Sequence, residues 1–191
     1  TLSGSEVIAL DDATVAAADL NTIDGKTSGI VDAHAAAKLT GDAATVAVAV
    51  TAAGISLTGA ELVDLSNTSL AAATLKAVDV ATTGKVDATL ATVLTGGAAD
   101  VVFVVTSGGI TLNGSEAITV TDTGTVAAAD LLTIDGKTSQ VVDATAASAL
   151  SGAAATAGAA MSAGAKIPLS ASTSALTRIF RREYTVVPER L

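Results

Sequence analysis

Cysteine is absent from the 191 residues. That excludes a disulfide framework, a zinc–thiolate site and a cysteine nucleophile together. Aromatic side chains number three, Phe103, Phe180 and Tyr184, although half of the chain is apolar. A compact globule draws much of its burial from large rings, whereas thin repeated layers need only small and branched aliphatics. Histidine occurs once, at His34. With one His and no Cys, neither a Ser–His–Asp set nor a His-based metal site can be assembled, so an enzyme is not expected. Basic residues are also few: ten Lys and Arg stand against nineteen Asp and Glu, a formal net charge of −9. Nucleic-acid binding, which needs clustered cations, is not expected. The most apolar windows, such as 43–55, are broken by Gly and Thr well short of the roughly 20 residues that span a bilayer. No membrane span is therefore expected, and no signal peptide is visible. The chain starts in phase with its own repeat and reads as a fragment of something longer.

What is present is repetition. Leu2-Ser3-Gly4-Ser5-Glu6-Val7-Ile8-Ala9-Leu10 recurs as Leu57-Thr58-Gly59-Ala60-Glu61-Leu62-Val63-Asp64-Leu65, and again as Leu112-Asn113-Gly114-Ser115-Glu116-Ala117-Ile118-Thr119-Val120. Each copy starts 55 residues after the last. Three tandem units follow: Thr1 to about Ile55, Ser56 to Ile110, and Thr111 to about Ala160.

Four segments can be placed in each unit. The alternation around Ile8/Leu10, Val63/Leu65 and Ile118/Val120 predicts a half-buried strand, entered through a tight turn at Gly4, Gly59 and Gly114. Glu6, Glu61 and Glu116 read as an outward or edge position that limits edge pairing. Thr14, Ser69 and Thr125 read as N-caps of a short Ala-rich helix, stopped at Gly25 and Gly136. Ile30 to Ala33, Val86 to Ala88 and Val141 to Ala144 predict a second strand. The fourth segment starts at Thr40, Thr95 and Ser151. Its punctuation and length favour a helix, while its Val-rich content favours a strand; the helix is preferred. Two strand–helix turns per unit give about 27 residues per turn, within the roughly 20–29 of leucine-rich-type coils. The expected fold is α/β, a repeat solenoid of stacked parallel strands with short crossover helices. A parallel β-helix is the alternative.

Residues 161–191 diverge. Residues 1–165 hold five Lys against seventeen acids, whereas 166–191 hold Lys166, Arg178, Arg181, Arg182 and Arg190 against Glu183 and Glu189. Ser172 to Glu183 could form a short amphipathic helix. This tail reads either as a cap on the last layer or as a non-native end.

Ala-Ala-Asp-Leu-x-Thr-Ile-Asp-Gly-Lys-Thr-Ser at 17–28 and 128–139, with Val-Asp-Ala at 31–33 and 142–144 and Leu-Thr/Ser-Gly at 39–41 and 150–152, resembles the Ala/Thr/Gly/Asp-rich tandem repeats of very large bacterial secreted and cell-surface, adhesin-like proteins. The resemblance implies an extracellular or cell-surface stalk or spacer. Its partners would be adjacent repeats of the same polypeptide, with contact to the cell surface or to a glycan. Such repeats are sometimes stiffened by Ca²⁺, but the glycine-rich nonapeptide that binds it in secreted toxins is missing here, and no cofactor is expected.

The recurrent aspartates are the strongest candidates for a metal or ligand: Asp24, Asp79 and Asp135 at helix ends, and Asp32, Asp87 and Asp143 beside the second strand. Copies two turns apart lie roughly 10 Å from one another by strand spacing. That is too far to share a Ca²⁺ ligated at about 2.3–2.6 Å. The competing expectation is that each carboxylate accepts from nearby backbone N–H groups in a turn. Gly25-Lys26-Thr27-Ser28 and Gly136-Lys137-Thr138-Ser139 mimic the end of a phosphate-binding loop. The earlier glycine that the loop needs is replaced by Leu20 and Leu131, so a polar turn is expected. Asp11-Asp12 and His34 read as surface residues. Asn67-Thr68-Ser69 and Asn113-Gly114-Ser115 match the glycosylation sequon but read as turns. The leading functional expectation is a structural spacer; a calcium- or glycan-binding module is the alternative.

Overall fold

The computed structural model describes residues 4–164 and 166–169. The order along the chain is β1 (Ile8–Ala9), β2 (Thr14–Ala16), α1 (Ala17–Asp24), β3 (Val31–Asp32), β4 (Lys38–Gly41), α2 (Ala43–Thr51), β5 (Ile55–Ser56), β6 (Leu62–Leu65) and β7 (Ser69–Ala71). It continues with α3 (Ala72–Ala81), β8 (Val86–Asp87), β9 (Val93–Gly96), α4 (Ala98–Thr106), β10 (Ile110–Thr111), β11 (Ala117–Val120) and β12 (Thr125–Ala127). α5 (Ala128–Asp135), β13 (Val142–Asp143), β14 (Ala149–Ser151) and α6 (Ala154–Ser162) complete it. The protein is α/β, with parallel strands alternating with helices in several sheets. The helix preferred for the fourth segment is the one observed, as α2, α4 and α6.

Every strand pairing among the described residues is parallel. The sheet orders are β1-β3-β5, β10-β8-β6-β4-β2, β13-β11-β9-β7 and β12-β14. Val15 pairs with Leu39 and Leu39 with Val63, while Leu70 pairs with Leu94 and Leu94 with Ile118. Each of these steps is 24 residues, shorter than the 27 expected from two turns per unit. The difference is an unforeseen strand. Thr14–Ala16, Ser69–Ala71 and Thr125–Ala127 are extended, and the helices begin only at Ala17, Ala72 and Ala128. Two ladder steps consume 48 residues, and the surplus in each unit is this extra strand with its turn. Each unit thus opens one new ladder, at β2, β7 and β12, and older ladders end at β5 and β10.

The N-caps differ from expectation for the same reason. Ala16, Ala71 and Ala127 occupy the cap positions of α1, α3 and α5, and none makes a side-chain cap bond. The caps of α2 and α4 are Asp42 and Gly97, not Thr40 and Thr95. A later layer contributes to both helices. Asn67 Oδ1 accepts from the Ala43 N–H at 2.6 Å, and Asp122 Oδ2 from the Ala98 N–H at 2.6 Å, each 24 residues downstream. Gly25 and Gly136 do end α1 and α5, but at φ −68 and −69, so no left-handed residue is used there.

Helices α1 to α5 each bury a narrow stripe of spacing three, of which Ala72/Leu75/Val78, Ala98/Val101/Val104 and Ala128/Leu131/Ile134 are typical. The first residue of the stripe is always Ala, for a steric reason. Ala17, Ala72 and Ala128 face Gly41, Gly96 and Gly152 of the neighbouring layer, and a Cβ on Gly96 would come within 2.9 Å of Ala72 Cβ. Consecutive helices pack on one another from α1 to α6. Strands stack at about 4.8 Å, whereas helices rarely approach closer than about 8 Å. Alanine faces keep that mismatch small. Leu39, Val63, Leu94 and Ile118, buried in adjacent rungs, form the continuous core.

Ladder contacts extend past residue 160. The Val142 N–H donates to Lys166 O at 2.8 Å and the Ala144 N–H to Pro168 O at 3.1 Å, with Ile167 only 1% exposed. The helix expected over 172–183 lies outside the described residues. Truncating Leu94, fully buried, to Ala is expected to cost about 2–5 kcal/mol in urea unfolding. Leu62→Ala, on the exposed side of β6, is expected to cost less than about 0.5 kcal/mol.

Candidate functional site

The most conspicuous chemistry is a carboxylate turn that occurs once per unit. Gly4, Gly59 and Gly114 take φ of 83, 76 and 76, the left-handed region where a side chain is strained. This reversal aims consecutive backbone N–H groups at the Glu two residues on. Glu61 Oε1 accepts from Thr58 N–H at 2.6 Å, Thr58 Oγ1 at 2.6 Å and Gly59 N–H at 3.2 Å. Glu116 Oε1 accepts from Asn113 N–H at 2.8 Å and Gly114 N–H at 3.2 Å, and Glu6 Oε2 from Gly4 N–H at 2.8 Å. Glu61 and Glu116 are 2% and 1% exposed. The outward, edge-guarding role expected for these glutamates is therefore wrong. A carboxylate withdrawn from water must find donors, and backbone N–H groups converging on a charged acceptor make strong bonds.

The Gly-Lys-Thr-Ser segments, and their second-unit counterpart Val80-Ala81-Thr82-Thr83, dock onto these turns. Thr27 Oγ1 donates to Glu6 O at 2.9 Å, Thr82 Oγ1 to Gly59 O at 3.2 Å, and Thr138 Oγ1 to Glu116 O at 2.6 Å. The next residue follows suit through its backbone: Ser28, Thr83 and Ser139 N–H groups donate to the carbonyls of Gly4, Gly59 and Gly114. Gly29 and Gly84 lie so close that a Cβ would meet Glu6 O at 2.1 Å and Glu61 O at 1.9 Å. The segment is a polar turn after a helix, bonded to the strand turn of its own unit. In the third unit Gln140 stands where Gly29 and Gly84 stand in the others.

The six candidate aspartates fall into two separate sets. Asp32, Asp87 and Asp143 each accept, through Oδ1, from the backbone N–H two residues on: His34 at 3.2 Å, Thr89 at 2.9 Å and Thr145 at 2.9 Å. The side chain of that same residue adds a second bond, from His34 Nδ1 at 2.5 Å, Thr89 Oγ1 at 2.6 Å and Thr145 Oγ1 at 2.7 Å. These are the local turn bonds that short acidic side chains favour. The side-chain bond from His34, then its backbone N–H, holds the Asp32 carboxyl below its usual range. Thr89 does the same for Asp87, hydroxyl first.

Asp24, Asp79 and Asp135 instead face the following layer. Asp24 Oδ1 lies 1.8 Å from where a Cβ on Gly54 would sit, and Asp79 Oδ1 2.0 Å from one on Gly109. Asp79 Oδ2 also accepts from Ser107 Oγ at 2.8 Å, and Asp135 Oδ1 lies 3.1 Å from Lys166 Nζ. The structure does not bring the two sets together, and among the described residues no three His, Cys, Asp or Glu side chains form a group that could hold a metal ion.

Other acidic residues have structural tasks that the sequence did not disclose. Asp42 caps α2, accepting from Thr45 N–H at 3.0 Å and from its hydroxyl, which holds the Asp42 carboxyl below its usual range. Asp64 and Asp100 pair with Lys38 at 2.6 Å and Lys76 at 2.8 Å, each across a layer boundary. Asp11, Asp12 and His34 are exposed. Asn113 spans two layers, accepting from Ser115 N–H at 2.7 Å and donating to Thr89 O and Ala91 O at 2.9 Å. One signal could have exposed the buried glutamates: Glu recurs two residues after a recurring Gly, with no Lys or Arg in the same motif to match it.

No protein-family model, curated protein or solved structure matches the chain. No helix among the described residues is long and apolar enough to cross a membrane.

Removing the acceptor leaves the part-buried turn donors without their partner, at about 1–3 kcal/mol. Glu116→Ala is expected to lower unfolding stability by that amount, with a smaller loss for half-buried Glu6→Ala. Equal, negligible losses at both positions would mean that these turns do not hold the layers.

Proposed function

We propose that residues 1–160 form a solenoid that serves as a structural spacer, a stalk segment of a secreted bacterial cell-surface or adhesin-like protein. The observation that carries this reading is the ladder step of 23–24 residues. The same step recurs in strand pairs, in turn-to-turn bonds and in helix caps from the first unit to the third. A chain whose layers touch only their neighbours transmits length and does not enclose a cavity. The polar bonds described above are spent between layers or within turns, which suits a mechanical element. The extracellular location rests on the resemblance of the Ala-Ala-Asp-Leu…Asp-Gly-Lys-Thr-Ser units to adhesin-like repeats.

Small-angle scattering on the chain, and on a version carrying residues 1–160 twice in tandem, tests the proposal. A spacer nearly doubles its longest dimension when the units are doubled. A compact globule instead enlarges its radius of gyration only about 1.3-fold, and that result would remove the spacer reading.

A further inference from the structure

The turns that end α1 and α5 carry the same seven residues, Thr-Ile-Asp-Gly-Lys-Thr-Ser, at 22–28 and 133–139. They share a backbone as well. Gly25 and Gly136 end the helices at φ −68 and −69, and the Lys26 and Lys137 N–H groups donate to Ile23 O and Ile134 O, both at 2.9 Å. Both turns are tied alike to the strand turn of their unit, Ser28 to Gly4 O and Ser139 to Gly114 O. What one of these turns binds, the other is built to bind.

The third-unit turn holds a positive charge. Lys166 Nζ donates to Asp135 O at 2.8 Å and to Thr138 O at 2.9 Å, and it lies 3.1 Å from Asp135 Oδ1. The reason is electrostatic. Asp135 stands in the last turn of α5, at the negative end of the helix dipole, and that turn has no basic residue of its own. A cation among the last carbonyls offsets both the dipole and the carboxylate.

Asp24 stands in the same place at the end of α1, again with no basic residue in the last turn. The ladder position of Lys166 is filled there by Gly54: the Val142 N–H donates to Lys166 O and the Val31 N–H to Gly54 O, both at 2.8 Å. A glycine brings no ammonium, and Asp24 Oδ1 lies 1.8 Å from where a Cβ on Gly54 would sit. The second unit supplies a hydroxyl instead, since Ser107 Oγ donates to Asp79 Oδ2 at 2.8 Å. The first-unit copy of Ser107 is Ala52. Among the described residues the half-buried Asp24 carboxylate therefore has neither a donor nor an ion-pair partner, and Lys26 forms no ion pair with it. Because Gly54 belongs to the following layer, this carboxylate lies inside the stack and not at its edge.

We propose that the turn at 24–27 binds a free monovalent cation of about the size of ammonium, such as K⁺, through the Asp24 carboxylate, Asp24 O and Thr27 O. Charge and size select it. One carboxylate balances one positive charge. The oxygens around Lys166 Nζ stand 2.8–3.1 Å away. Ca²⁺ draws its ligands in to about 2.3–2.6 Å and Mg²⁺ to about 2.0–2.1 Å, and Ca²⁺ asks for about 6–8 oxygens. The ion does for α1 what Lys166 does for α5.

The test titrates ¹⁵N-labelled protein with KCl and, at matched ionic strength, with tetramethylammonium chloride, whose cation is too bulky for the turn. Backbone amide shifts are followed residue by residue. KCl is expected to give saturable shifts at Gly25, Lys26, Thr27 and Gly54 that tetramethylammonium does not. Asp24→Asn is expected to weaken the K⁺ response at least about fivefold, for loss of one close charge contact, with the rest of the spectrum unchanged. Lys166→Gly gives the third turn the glycine of the first, and is expected to create a second K⁺ response at Gly136, Lys137 and Thr138. Identical, non-saturating shifts in the two salts would overturn the proposal, as would an undiminished response in Asp24→Asn. Saturation by CaCl₂ but not by KCl would overturn the choice of a monovalent ion. The readout is local to the turn, so its failure would leave the spacer reading standing.

Discussion

The spacing of parallel strands governs everything else in this chain. Rungs about 4.8 Å apart, each a return of the backbone after 23–24 residues, leave a thin slice of space for every layer. Slices that thin accept Val, Leu and Ile at the strand positions and Ala where a helix begins. Gly appears where two backbones nearly touch, as at Gly29, Gly84 and Gly96. Phe103 sits at the rim of α4, with Lys76 Nζ 5.3 Å from its ring centre.

The turns between strands raise a polar problem of their own, because they carry backbone N–H groups that no strand ladder pairs. Two devices meet it. Glu61 and Glu116 fold back under a left-handed Gly and absorb the donors of their own turn. Asn67, Asp122 and Asn113 reach across to the adjacent layer. The charged residues of this acidic chain are in large part turn-builders. That is why recurrent carboxylates, which at first resemble a ligand ladder, are spread over separate turns.

The 55-residue spacing of the copies and the alternating strands were legible in the sequence, because side-chain alternation at Val63/Leu65 and Ile118/Val120 is a local signal. The helix at 43–51 was legible from punctuation, against the β-branched content of Val46, Val48 and Val50. The strand at Thr14–Ala16 was not: three residues cannot display a period, and an Ala run following Thr reads naturally as a capped helix. Nor were the caps, because Asn67 serves a helix that starts 24 residues earlier and no local pattern reports such a distant donor. The burial of Glu61 and Glu116 was not legible either, because a carboxylate is rarely buried unless it is paired. Those partners were backbone groups, which the sequence does not distinguish.

If layers are held chiefly by their neighbours, stability should vary along the stack. Native-state hydrogen exchange resolved by residue measures this directly. The account predicts the greatest amide protection in the central rungs, Leu39, Val63, Leu94 and Ile118, falling progressively toward Ile8 at one end and Leu150 at the other. Uniform protection from β1 to β14, exchanging in one global step, would contradict it and mark the chain as a single indivisible core.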